Sequence, residues 1–315
     1  MTKKFITLSL NPAIDRTMYF DKFSLGTLNR TSAKTVRTAG SKGMNAARAI
    51  MTAGGEVLSV AFCGGDSGEF MRREMEREGI PSYFVKTECG VRENVKIIES
   101  DGRGTEANER GGPILPCEIT EMYEKLFSLA DENTVFLLCG SIPPGVDVTA
   151  YQTLTEKLKS LGAKVVLDCD GAALKEALKA SPDLIKPNKR ELEGLVGREL
   201  NSTNEVFSAA EDIAKKFGTN VLCTLGEEGS LYTSIDGKGI FATAPKNITV
   251  RGFAGAGDTY LGVFCHHRFG LDDSIEKSMI AAASASAAKV ECEGSNLPDK
   301  DGVYKYVAGI KTGKA

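Results

Sequence analysis

Apolar positions along the 315-residue chain fall into two alternating kinds of segment. Short runs rich in aliphatic and β-branched residues recur at positions 5–10, 57–62, 135–138, 165–168, 183–185 and 221–225. Each is strand-length, and the spacings leave room for a helix between successive runs. The intervening stretches, such as 147–161 and 203–217, carry apolar residues every three to four positions, the period of an amphipathic helix. Strands alternating with helices predict a mainly parallel sheet covered on both faces. Two stretches break the rhythm. Positions 13–37 and 87–112 alternate like short strands with turns and contain no helical pattern. They predict a small β-sheet standing off the main body, which is a lid, a structural edge or a contact between subunits. The division expected is a core of residues 1–12, 38–86 and 113–315, with 13–37 and 87–112 forming the second unit.

Composition narrows the function. No apolar run is long enough to span a bilayer, and the N-terminal stretch lacks the apolar core of a signal peptide. The formal net charge of −3, with signs interspersed, argues against general nucleic-acid binding. The eight cysteines include no Cys-x-x-Cys pair, and Cys139, Cys169 and Cys223 sit in strand-like runs. Reduced core cysteines in a cytoplasmic protein are the expectation. The two histidines, His266 and His267, are adjacent in a helix-like stretch and point about 100° apart, which disfavours a shared catalytic role. Glycine is in excess, 34 residues against an average of about 7%, and it clusters without a period.

Five of these clusters carry candidate chemistry. Arg251-Gly-Phe-Ala-Gly-Ala-Gly-Asp258 runs into a helix-like segment, where free backbone N–H groups and the helix dipole make an anion site. Asp258 is expected at the N-cap of that helix, where a plain capping aspartate is the simpler reading. Gly40-Ser-Lys42-Gly43-Met-Asn45 again places glycine before a helix, with a cation that could meet a phosphate and an amide that could hold hydroxyls. Cys139-Gly-Ser141-Ile-Pro-Pro-Gly145 follows a strand end, the place where open parallel sheets bind ligands. Lys186-Pro-Asn188-Lys-Arg-Glu191 reads equally as a capping box. Thr224-Leu-Gly226-Glu-Glu-Gly229 is a strand followed by a turn. No P-loop and no Rossmann fingerprint is present.

Taken in order, the five clusters resemble the PfkB (ribokinase-like) carbohydrate kinase family, in the branch that acts on sugar phosphates. Asn11-Pro-Ala-Ile-Asp15, Arg92-Glu-Asn94-Val-Lys96 and Gly294-Ser-Asn-Leu-Pro298-Asp299 extend the resemblance over almost the whole chain. It implies a three-layer α/β/α domain with a small β-sheet lid, and ATP-dependent phosphorylation of a ketohexose phosphate. Fructose 1-phosphate is the first expectation, with tagatose 6-phosphate and fructose 6-phosphate as alternatives. Asp258 would be the catalytic base, and the backbone of Gly255, Ala256, Gly257 and Asp258 the anion hole. Asp15, Gly40, Lys42, Gly43, Asn45 and Ser141 would contact the sugar, and Arg92 its phosphate, with Lys42 nearby. Arg30 is a weaker candidate for reaching a neighbouring subunit's site. Lys186, Asn188, Thr224, Gly226 and Gly229 would face ATP, with Glu191 acting on magnesium through water. A homodimer joined through the lid and a monovalent cation are further expectations.

Three positions depart from the family pattern. Ser41 replaces a glycine, Arg251 and Gly252 stand where Asn or Asp and then Ser or Thr are usual, and the 105–113 segment is one residue longer, around Asn108. Two other functions stay open on the residues: a sugar-phosphate sensor without catalysis, against which Asp258 argues, and a kinase for an unphosphorylated sugar or nucleoside, against which Lys42 and Arg92 argue.

Overall fold

Strand β1 (Lys4–Ser9) lies at the centre of the molecule, buried from Phe5 onward. Its side chains alternate between two apolar clusters, Phe5 facing one and Ile6 and Leu8 the other. We describe a computed structural model covering residues 3–252, 254–292, 294 and 296–315. Phe253 and Ser295, which fall within two of the motifs above, lie outside the described residues.

After β1 come β2 (Ala13–Phe20), β3 (Val36–Gly40), α1 (Lys42–Thr52), β4 (Val57–Cys63), α2 (Gly65–Arg77), β5 (Ser82–Lys86), β6 (Arg92–Glu99) and β7 (Gly104–Asn108). Then follow α3 (Pro116–Ser128), β8 (Thr134–Cys139), α4 (Ala150–Ser160), β9 (Lys164–Asp168), α5 (Gly171–Ala177), β10 (Leu184–Ile185), α6 (Lys189–Val196), α7 (Thr203–Phe217) and β11 (Asn220–Thr224). The chain continues through β12 (Ser230–Thr233), β13 (Gly239–Ala242), α8 (Ala256–Cys265), α9 (Ile275–Val290) and β14 (Thr312–Lys314).

The large sheet runs β14-β13-β12-β11-β10-β9-β8-β1-β4-β5. It is parallel from β5 to β11 and ends in three antiparallel strands, an edge that the sequence pattern did not announce. Helices α1, α2, α8 and α9 cover one face; α3 to α7 cover the other. The α/β class and the second small sheet agree with the reading of the sequence. The small sheet, ordered β3-β2-β6-β7, contains the two non-helical stretches, and β3 extends to Gly40.

Local chemistry sets the helix ends. Ser202 accepts from the Glu205 N–H to open α7, and Gly218 closes it in the left-handed region at φ 62°. Small residues let three helices draw close on the first face. A Cβ on Gly262 of α8 would stand 2.6 Å from the Ala46 carbonyl of α1, and α9 presents a run of alanines and serines to α8. That packing brings the starts of α1 and α8 and the end of α9 together, beyond the carboxyl ends of the parallel strands. Strand order reverses beside β1, whose neighbours are β4 and β8, and such a switch point is where open α/β sheets hold ligands.

Candidate active site

Asp258 is the third residue of α8 and does not cap it. Gly255 is the N-cap, at φ 81°, a conformation that suits glycine, and no side chain caps the helix. The expected N-cap aspartate is thereby corrected. The N–H groups of Ala256, Gly257 and Asp258 occupy the first helical turn, which has no acceptors of its own, so donors and dipole point together at the cleft.

The Asp258 carboxylate is buried, and its Oδ2 accepts from Asn45 Nδ2 at 2.8 Å. Asn45 is in turn oriented by Arg48, whose Nη1 donates to Asn45 Oδ1 at 3.0 Å while its other nitrogens grip Glu78. Burial, with the neighbouring Asp168 charge, pushes Asp258 up to about 6, against the pull of Lys42, Asn45 and Lys186. A carboxylate with that affinity for protons is ionised at neutral pH and can accept one from a hydroxyl.

A second cluster is built around Asp168 at the end of β9. Lys42 Nζ donates to Asp168 Oδ1 at 2.9 Å and reaches Glu191 Oε1 at 3.4 Å, and Lys186 Nζ lies 3.2 Å from Asp168 Oδ2. Burial would lower the Lys42 ammonium, but Asp168, Glu191 and Asp258 hold it well above its ordinary range. Burial would raise Asp168, but Lys186 and Lys42 keep it low. Lys186 also faces the first turn of α8: a Cβ on Gly257 would stand 3.5 Å from its Nζ. Lys42 therefore joins Asp168 and Glu191.

On the small-sheet side, Asp15 receives Lys96 Nζ at 2.8 Å and Asn94 Nδ2 at 3.3 Å. Gly40 makes room for this carboxylate, since a Cβ there would stand 2.7 Å from Asp15 Cγ. Arg92 opens β6. It donates to the Asn11 and Glu109 carbonyls and to Asn94 Oδ1, and among the described residues it forms no ion pair. Burial lowers its pKa, opposed by Asp15 and Glu109. Asn11 Nδ2 bridges the switch point to Ser141 Oγ at 3.1 Å.

Gly43 allows α1 to start against β1, where a Cβ would stand 2.5 Å from Ser9 Oγ. Ser41 just before it adopts φ 124° and ψ 143°, a region otherwise left to glycine, and donates to Ser9 Oγ at 2.7 Å. On the remaining flank, Asn188 and Glu191 form the capping box of α6, with reciprocal bonds of 2.9 Å. Asn188 bridges to Thr224 at the end of β11, and Gly226 and Gly229 form the turn that follows. Asn188 and Glu191 also line a cleft of about 490 Å³ with Asp170 and Lys175.

Arg251 is exposed, and its N–H and that of Gly252 donate to the Val290 carbonyl at the end of α9. Asn108 is exposed on β7 and donates to Glu106. His266 and His267 lie in the turn after α8. His267 Nδ1 sits 2.8 Å from Asp273 and its Nε2 3.0 Å from Tyr304, away from the residues above. Sequence reasoning missed Asp168 as a site residue, although a strand ending in Asp-Cys-Asp-Gly was a visible signal. Nor did any motif mark Lys289, whose Cε would stand 3.4 Å from a Cβ on Gly255.

A model of the pfkB family of carbohydrate kinases matches residues 8–301. The chain belongs to that family. It is 31% identical over 303 residues to a protein of Vibrio cholerae named 1-phosphofructokinase, covering 96% of this chain and 94% of that one. Among solved structures, phosphofructokinase-2 of Escherichia coli in complex with substrates and products superposes with a TM-score of 0.90 at 26% identity, covering 97% of this chain and 98% of the other. The same Escherichia coli protein in complex with potassium gives 0.89 at 26% identity, covering 98% and 99%. Members of the family are sugar kinases that use ATP, and the large parallel sheet with a small second sheet is their fold.

Proposed function

We propose that this member transfers the γ-phosphoryl group of ATP to a ketohexose phosphate, converting fructose 1-phosphate to fructose 1,6-bisphosphate. The observation that carries the reading is the buried Asp258, ionised at neutral pH, held by Asn45 at the start of a helix whose free N–H groups form an anion site. The free CH2OH of the sugar would lie against Asp258. Its oxygen attacks the γ-phosphorus, its proton passes to the carboxylate, and the bond to the bridging oxygen breaks to release ADP. Ala256, Gly257 and Lys186 would stabilise the charge on the transferring group, where most catalysis of phosphoryl transfer arises.

Arg92, half-buried and bonded only to neutral acceptors among the described residues, is suited to the phosphate already on the sugar. That favours a phosphorylated substrate over a neutral one. Asp15, held by Lys96 and Asn94, would accept from ring hydroxyls. Thr224, Asn188, Gly226 and Gly229 would form the nucleotide side. Magnesium would enter with the nucleotide, held by phosphates and water with Glu191 in reach. Among the described residues no cluster of three metal-ligating side chains stands ready to hold it alone.

The Vibrio cholerae relative's name supports fructose 1-phosphate. Tagatose 6-phosphate and fructose 6-phosphate remain alternatives for a physical reason: a ketofuranose carries a CH2 group at each end, so turning the ring end for end presents nearly the same shape to Arg92 and Asp258. The small sheet serves as the lid and as the dimer contact in this reading, and its loop exposes Leu25 and Leu28 at 89% and 77%. Steady-state assays on the three sugars test the proposal. A kcat/KM below about 10³ M⁻¹s⁻¹ for all of them, under the usual enzyme range, overturns it.

A further inference from the structure

Lys289 lies in the last turn of α9, and only 1% of its surface is exposed. Fully buried lysines are rare unless paired. Here Nζ donates to the Gly294 carbonyl at 2.7 Å, and no carboxylate lies within ion-pair distance among the described residues. Capping the end of α9 is one use of such a cation, since a positive charge suits a helix C-terminus. Capping, however, does not require burial beside another element. The Lys289 stem passes under the anion-hole turn, where a Cβ on Gly255 would stand 3.4 Å from Lys289 Cε and 3.3 Å from Asn45 Nδ2. Burial lowers its pKa, with Lys96 and Arg48 adding to that and Cys292 and Asp258 opposing it.

The surroundings tie the ammonium to the site from two sides. The Val290 carbonyl, one residue on, accepts from the N–H groups of Arg251 and Gly252 and so anchors the segment that leads toward the anion hole. Gly294, which accepts from Lys289, packs on the small sheet, where a Cβ would meet Thr38 at 3.5 Å. A monocation desolvated against a carbonyl and placed behind a row of N–H donors is what an alkali ion would supply at such a point. A charge in that position strengthens with exclusion of water and with negative charge developing on the transferring group.

We propose that Lys289 is a positioning residue whose ammonium acts as a built-in monovalent cation beneath the anion hole, so that turnover needs no dissolved alkali ion. The proposal rests on the kinase reading above and extends it to a residue that reading does not use.

The test compares wild type with Lys289→Ala, Lys289→Met and Lys289→Arg in buffers where tetramethylammonium replaces every alkali cation, with and without added ammonium or potassium chloride. Wild type is expected to keep its kcat within about twofold in all of them. Lys289→Ala should lose about 10²-fold in kcat, the scale of removing one oxyanion donor, with KM for the sugar phosphate nearly unchanged. Added ammonium should restore about tenfold of that loss, and Lys289→Arg should retain more activity than Lys289→Met. A wild type that loses more than about tenfold without alkali ions overturns the proposal, as does Lys289→Ala turning over at the wild-type rate. A folded Lys289→Ala that no cation rescues also overturns it, leaving a structural cap. Should both truncations fail to fold by thermal melt, the wild-type cation replacement decides alone. Wild-type inactivity on all three ketohexose phosphates is a different result, because it sinks the kinase reading itself.

Discussion

Asn45 and Asp258, 213 positions apart in the chain, share a buried 2.8 Å hydrogen bond that ties the start of α1 to the start of α8. One stands on the first turn of α1 and the other on the first turn of α8, and the two helices meet closely enough that Gly262 excludes even a methyl group. The amide cannot swing away, because Arg48 holds its oxygen. Asp258 is thereby offered in one orientation with one oxygen engaged.

Replacing Asp258 with Asn is expected to lower kcat by about 10³-fold while fructose 1-phosphate and ATP still bind, by calorimetry. Stability should move the other way. Burial raises the carboxyl's pKa above its unfolded value, so at neutral pH its ionised form opposes folding, and the neutral amide removes that penalty. The melting temperature should rise. Unchanged turnover would take the base role away from Asp258.

The pH profile provides a second check. With Asp258 near 6, kcat/KM should fall as pH drops through that value, because the base must be unprotonated. The Asn45 hydrogen bond favours the charged form, so Asn45→Ala should move this acid limb to higher pH. A limb that stays in place in the variant would detach it from Asp258.

Arg92→Ala should raise KM for the sugar phosphate by about 10- to 100-fold and leave kcat within a few-fold, the loss of one charged hydrogen-bonding partner. KM for ATP should not move. An unchanged KM for the sugar phosphate would favour a substrate without a phosphate.

Ser41→Gly tests the strained link between β3 and α1. The backbone at φ 124° is costly for any residue with a Cβ, on the order of 1–3 kcal/mol, offset by the flexibility glycine adds to the unfolded chain and by the lost bond to Ser9. A net gain of about 1 kcal/mol, read as a rise in melting temperature of about 2 °C, is expected. A fall would mean that the Ser9 bond outweighs the strain.

Much of this architecture was legible from local pattern. Strand runs at 57–62 and 135–138 and the helix at 203–217 are set by periodicity and end signals such as Ser202 and Gly218, which act within a few residues. The capping box at Asn188 was legible for the same reason. Asp258's place in the helix was misread by three positions, because a glycine in the left-handed region can cap where an aspartate looks the better candidate.

The sequence by itself determined the α/β class, the two non-helical stretches and the glycine-led turns, because backbone conformation depends on neighbours in the chain. Tertiary structure decided which charges meet. Lys42 faces Asp168, 126 positions away, Lys96 faces Asp15 across β2 and β6, and Lys289 is buried under Gly255. Electrostatic partnership depends on distance in space and on exclusion of water, and neither is written in local order. That is why a lysine outside every motif came to lie against the start of α8.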